Sequence, residues 1–457
     1  MGIPNHQQLT SNLQLQVDVS HLLDHGAWGA YQKWLVGLTA LTIVFDGIDN
    51  QLLGVAIPSI MREWSVPRAA FAPVVSIGLV GMTIGGAVAG LAGDRIGRRT
   101  ALLGSMLLFG MMTAAVAAAT SPTHLAVLRL LAGAGLGGAI PNAAALAAEY
   151  VPRRHRHIAV TLTIVCVPLG ATIAGLLGIR ILPEIGWRAL FVIGGVVPVI
   201  AALALMSLLP ESPRYLARHP QRSAELAGAL ARMGHRIPEG ATFVDTVEQT
   251  ERASLGTLFR RDRRADTLAL FGAFFSCLLA VYLGFSWLPA LLTSTGFDPS
   301  IANTGITAFN IGGVAGALAG SMVIGRFGSR APMLTMTAGA GAGAIALVVM
   351  RIDASQPVLP ILVVLTLTGA LINAVQVAMY ALAAHVYPSA VRATGVGTAA
   401  SVGRVGAILS GYAGAWAIDY RGSTSYFAMI AAAMCVTFVS LALVRRHVPR
   451  PGATPSA

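Results

Sequence analysis

The chain reads as an all-α polytopic membrane protein whose twelve transmembrane helices form two pseudo-symmetric six-helix bundles. Three observations predict this. The 457 residues are 55% hydrophobic and only 11% charged, whereas a soluble domain carries about 25% charge. Apolar runs of about 20 residues or more, the length that crosses a bilayer core, recur along the chain. They cover 34–60, 73–93, 100–119, 124–147, 158–180 and 187–210, then 267–294, 300–324, 332–351, 357–384, 393–418 and 424–444. Finally, GRFGSR at 325–330 repeats DRIGRR at 94–99 after 231 residues, and HVYPSAVR at 385–392 repeats EYVPRRHR at 149–156 after 236. Two matches at nearly equal offset indicate an internal six-helix duplication.

The expected organisation is a polar tail (1–33), a first bundle (34–210), a hydrophilic linker (211–266), a second bundle (267–444) and a short tail (445–457). No cleavage-site pattern precedes the first span, so no signal peptide is expected. Residues 17–25 (VDVSHLLDH) suit a short amphipathic helix on the inner membrane surface, or a simple lead-in to the first span. The three cysteines, Cys166, Cys277 and Cys435, fall within apolar spans and imply no disulfide framework. With both termini cytoplasmic, 23 of the 31 Lys+Arg lie on the inner side, which fixes the orientation by the positive-inside rule. The net charge of +12 then faces anionic inner-leaflet lipid, and no nucleic-acid partner is needed.

The first span carries the chemistry. Asp46 and Asp49, in VFDGIDNQ (44–51), are three residues apart on one helical face. Asp46 lies roughly 18 Å along its span, close to mid-bilayer. A carboxylate there costs several kcal/mol unless it faces protein or water, and such acids commonly carry protons or ions. No other acid reaches comparable depth: Asp298, Asp353 and Asp419 fall at outer ends.

Along the chain, GLAGDRIGRR (90–99) gives a charged tight turn in which Asp94, Arg95, Arg98 and Arg99 can form ion pairs at the inner face. The fourth span, RLLAGAGLGGAIPN (129–142), places Arg129 about 8 Å inside its outer boundary and Asn142 lower down as a polar handle. Glu149 closes that span, followed by Arg153. His155 and His157 read as solvated loop residues. In the second half Tyr282, Asn310, Asn373, Gln376 and Tyr380 are candidate lining residues. The last three recur at i, i+3 and i+7, one helix face; interhelical hydrogen bonding is the alternative role. Arg404 lies about 16 Å into its span, where a cation needs an anion or a wet cavity. It can reach Asp46 or Asp49, or meet an anionic ligand. Arg392 precedes it at the inner face.

These motifs carry a resemblance. GLAGDRIGRR, RLLAGAGLG, PESPR (210–214) and GRFGSR resemble the major facilitator superfamily. FDGIDN, GGAIPNAAALAAEYVPRR (137–154), YPSAVRATGVG (387–397) and SVGRVG (401–406) are similar to the bacterial aromatic acid:proton symporters, over essentially the whole region 34–444. The resemblance implies the major facilitator fold, in a multi-pass protein of the bacterial inner membrane. It implies uptake of a small aromatic carboxylate such as 4-hydroxybenzoate, protocatechuate or benzoate with protons, driven by the proton gradient with no cofactor. Asp46 and Asp49 match the family's essential aspartate pair, Asp94 its loop acid, Arg129 its fourth-span arginine, Glu149 the acid closing that span, and Arg392 and Arg404 its later arginines. Gly325 departs from the pattern, since it stands where members often keep an acid in the second loop copy. A non-aromatic organic acid or a sugar is the alternative cargo. No metal cluster or nucleophile–base arrangement stands out in the spans, so neither an enzyme nor a metal site is expected. A monomer is expected.

Overall fold

A computed structural model describes residues 16–238, 241–245, 255–260 and 263–450. Among the described residues, twelve long helices lie within four residues of the expected span limits. They are α1 (Ala30–Trp64), α2 (Ala72–Ile96), α3 (Arg98–Val116), α4 (Pro122–Tyr150), α5 (Arg156–Glu184) and α6 (Trp187–Leu208), then α7 (Arg264–Ser294), α8 (Pro299–Phe327), α9 (Arg330–Val349), α10 (Val358–Val386), α11 (Ser389–Arg421) and α12 (Ser423–Leu443). Among the described residues, eleven helices are long and apolar enough to cross a membrane. The other is α11, a 33-residue helix diluted by Arg392, Arg404 and many small residues. It packs along α7 and α2, with Arg404 turned to the Met82 carbonyl of α2 while Arg392 and Ser401 are exposed.

Many helices expose apolar side chains outward, as Ile200, Met322 and Leu367 do, because their surroundings are hydrocarbon rather than water. Side-chain caps and positive-φ glycines set the ends. Ser121 accepts from the His124 amide at the start of α4, and Asp298 from the Ser300 amide at the start of α8. Gly97 (φ 101°) and Gly328 (φ 76°) make the equivalent tight turns of the two halves.

Packing repeats as the sequence repeat requires. The pairs α1–α5, α2–α4 and α3–α6 recur as α7–α11, α8–α10 and α9–α12. Lipid gives no hydrophobic drive between helices, so close van der Waals contact must hold them. At the α1–α5 crossing a Cβ on Gly47 would strike the Val167 carbonyl, and one on Gly170 the Val44 carbonyl. Any larger residue at either position separates α1, and its aspartates, from α5.

The stretch 17–25 forms a short helix ahead of the first span, preceded by a strand that the sequence reading lacks. Gln16–Asp18 pairs in parallel with linker strand Thr242–Val244, and helix Val19–His25 buries Val19 and Leu23. Asp18 caps this helix, and Asp24 pairs with Arg156 and Arg214. Asp24 thereby ties this helix to the linker and to α5. Residues 1–15, parts of the linker including Arg252 and Arg261, and 451–457 lie outside the described residues.

Candidate functional site

The two halves are sealed against each other at one end. Arg68, before α2, pairs with Asp419 near the end of α11. Deeper, the Ser76 hydroxyl donates to the Ile408 carbonyl at 2.8 Å, and the Gln51 amide donates to the Phe285 carbonyl at 2.7 Å. Asn310 donates to the Gln51 carbonyl oxygen at 3.3 Å.

Below this seal lies a cavity of about 410 Å³ between the halves. Tyr282, Phe285 and Tyr380 supply aromatic wall; Asn50, Asn373 and Gln376 supply amides. Among the described residues lining it, Arg404 alone is charged. Its guanidinium donates to the Met82 carbonyl at 3.1 Å across the halves. The Tyr282 ring stands edge-on to Phe285 and the Tyr380 ring edge-on to Phe274. The lining is exposed at Ala87, Gly397 and Ser401. These lie toward the ends of α2 and α11 that carry the loop arginines, so the cavity opens toward the arginine-rich end.

The two aspartates stand in different surroundings. Asp49 is fully buried; it accepts from Arg129 at 3.0 Å and from the Thr113 hydroxyl. Asp46 is also buried, yet neither of its oxygens has a hydrogen-bond partner. Asp49 and Arg404 are both near enough to act on its charge. Alternate helix turns thus present one satisfied carboxylate and one unsatisfied one.

Of the expected lining residues, Arg404, Tyr282, Asn373, Gln376 and Tyr380 line the cavity. Arg129 is not among them, being paired with Asp49. Nor is Asn142, which donates to the Ala89 and Gly138 carbonyls at 3.0 and 2.8 Å. Asn310 sits in the seal.

Charged groups of the arginine-rich end find partners within their own half or the linker. Asp94 holds Arg98, and the Arg95 carbonyl accepts from Tyr215 at 3.3 Å. Glu211 accepts from the Arg99 amide at 2.9 Å, and Glu149 accepts from Ser212. Arg153 lies in a single 3₁₀ turn, and Arg392 donates to the Tyr387 carbonyl at 3.3 Å. None of these contacts crosses between the halves.

Sequence reasoning missed Asn50 and Gln51, although they continue the aspartate motif, so polar periodicity on α1 could have found them. Thr113 and Ser76 carry no such signal, being single hydroxyls in apolar helices. The Arg68–Asp419 pair joins positions 351 residues apart.

The Major Facilitator Superfamily profile matches residues 39–353 and 269–457. The chain belongs to this superfamily. It is 35% identical to the gallate transporter of Pseudomonas putida, over 87% of this chain and 88% of that one. It is 34% identical to the 4-hydroxybenzoate transporter PcaK of Acinetobacter baylyi, over 93% of each. Among solved structures, a partially occluded inward-open form of the E. coli xylose transporter XylE superposes with a TM-score of 0.74 at 17% identity. That match covers 93% of this chain and 100% of XylE, and at such low identity it speaks for the fold. The protein is a transporter rather than an enzyme.

Proposed function

We propose that this transporter carries a small aromatic carboxylate, together with a proton, into a bacterial cell across the inner membrane, the arginine-rich end facing the cytoplasm. One observation carries the reading. Among the described residues, Arg404 is the one charged group lining the aromatic-walled cavity, and it acts on the charge of Asp46, a buried carboxyl outside that lining whose oxygens have no hydrogen-bond partner. The cargo of the relatives, gallate and 4-hydroxybenzoate, supports the same class.

The chemistry follows from charge. A guanidinium offers two parallel N–H groups that match a carboxylate, and aromatic rings stack with the cargo ring. An isolated carboxylate in dry surroundings is costly, so Asp46 is stable when it holds a proton or when Arg404 turns to it. With the cavity open outward, a proton on Asp46 frees Arg404 to take the incoming carboxylate. The halves then rock about the site. With the cavity open inward, proton loss to the more alkaline cytoplasm restores the Asp46 charge, which competes for Arg404 and ejects the cargo. Asp49, held by Arg129 and Thr113, keeps its partners throughout and fixes the face that Asp46 presents. Because Arg129 is committed to Asp49, Arg404 is the carboxylate anchor.

Proteoliposomes holding the purified protein test this with radiolabelled benzoate, hydroxybenzoates and non-aromatic acids. Uptake of an aromatic acid should rise as the outside pH falls and collapse with a protonophore. A sugar or an aliphatic acid taken up in preference, with no competition from benzoate-type acids, would overturn the cargo assignment.

A further inference from the structure

The internal duplication exposes an asymmetry of charge at the arginine-rich end. In the first half, Glu211 lies three residues past the end of α6 and folds over the start of α3. Its carboxylate accepts from the Arg99 amide at 2.9 Å, and from the Thr100 amide and hydroxyl at 3.4 and 3.3 Å. It thus satisfies first-turn N–H groups that helix geometry leaves without acceptors. The repeat offset of 231 maps Arg99 and Thr100 onto Arg330 and Ala331, the first residues of α9.

The residue three past the end of α12 is Arg446, opposite in charge to Glu211. It turns toward Asp266 at 3.8 Å. The segment after α12 still folds over the turn: the Ser329 amide donates to the Val448 carbonyl at 3.0 Å, and the Val448 amide to the Ser329 hydroxyl at 2.8 Å. Between this segment and the start of α9 lies a pocket of about 500 Å³, lined by Arg330, Arg445, Arg450 and His447 but by no acid. Among the described residues, no carboxylate lies within ion-pair distance of those three arginines. Gly325 removes the second-half counterpart of Asp94, which in the first half neutralises Arg98. Asp266, the nearby acid, is engaged by the Arg445 amide and by Arg446. Burial pushes the His447 imidazole below its ordinary range, and Arg330 acts in the same direction.

We propose that this pocket is a binding site for a phosphate group, which supplies there the negative charge that Glu211 supplies in the first half. Three exposed arginines lining a pocket at a helix start, one of them (Arg450) also donating to the Phe327 carbonyl at 3.1 Å, suit a tetrahedral oxyanion. Phe327 at the rim is half exposed beside the outward apolar face of Met322 and Val323. The pocket therefore opens where hydrocarbon meets the aqueous end, within reach of a phospholipid headgroup as well as of free phosphate.

The test is thermal unfolding of the purified full-length protein in detergent micelles, in two arms. Inorganic phosphate is titrated against chloride at equal ionic strength, and phosphatidylglycerol is titrated against phosphatidylcholine. A saturable rise in melting temperature with phosphate identifies free phosphate; a rise with phosphatidylglycerol alone identifies the headgroup. The apparent affinity should weaken about tenfold for each of Arg330→Gln and Arg445→Gln, and should be unchanged in Arg351→Gln at the opposite end. His447→Glu gives up the ring's bonds to the Ser329 hydroxyl and the Leu441 carbonyl, but places a carboxylate at the pocket and should abolish the ligand-dependent rise. Two results would overturn the assignment: no rise from either probe above its control, or an undiminished rise in His447→Glu. The latter decides even where the arginine variants fail to fold.

Discussion

Separating the burial of Asp49 from that of Asp46 gives the sharpest energetic test. Asp49 and Arg129 are both almost wholly buried and 3.0 Å apart, so neither charge has water to fall back on. Removing one partner of such a pair costs about 3–5 kcal/mol, because the other is left as an uncompensated buried charge. Asp49→Asn and Arg129→Gln should each lower the unfolding free energy by about that much. In the double variant an amide faces an amide, and the uncompensated charge is gone. The double should therefore be more stable than the sum of the singles by at least about 1.5 kcal/mol, well above the ~0.5 kcal/mol scatter of independent sites. Asp46→Asn should behave in the opposite way. It replaces a carboxyl whose two oxygens have no partners, so stability should be unchanged or raised. Reversible unfolding in mixed micelles measures all four. Additive effects at Asp49 and Arg129, or a loss at Asp46 equal to that at Asp49, would refute the division of roles.

Other variants follow from the same geometry. Arg404→Ala should lose most of the preference for an aromatic acid over its uncharged amide in equilibrium binding, with Arg404→Lys intermediate because lysine restores charge but not the fork; undiminished preference in Arg404→Ala would exclude it as the anchor. Arg68→Ala should loosen the sealed end and increase labelling of a cysteine placed at Asn50 by an impermeant reagent added from that end; unchanged labelling would show that the pair does not hold the seal. Asp94→Asn should slow transport while leaving affinity within about twofold, since its partner Arg98 lies outside the cavity; lost affinity with turnover retained would place Asp94 in the binding site instead.

The helices were legible because a bilayer demands long apolar runs, and the half-to-half repeat was legible in two charged loops. Depth alone marked Asp46, Asp49 and Arg404, since ionisable groups in hydrocarbon are rare. Pairing was less legible. That Arg129 takes Asp49 and leaves Asp46 unpaired depends on which side of α1 faces α4, which one sequence cannot reveal. The fold of residues 16–25 onto the linker was missed for a similar reason: a three-residue strand has no periodicity to read, and its partner lies more than 200 residues away. Gly325 was visible as a departure from a pattern. The arginine-lined pocket at the start of α9 was not legible, because its walls come from 327–334 and from 445–450, more than 100 residues apart.

The central claim is that Asp46 carries the proton while Arg404 holds the cargo. Asp46→Asn in proteoliposomes tests it most directly, with two assays on one radiolabelled aromatic acid. Counterflow, which needs no net proton movement, should survive. Accumulation driven by an inward proton gradient should be abolished. Gradient-driven accumulation by Asp46→Asn at the wild-type level would contradict the assignment.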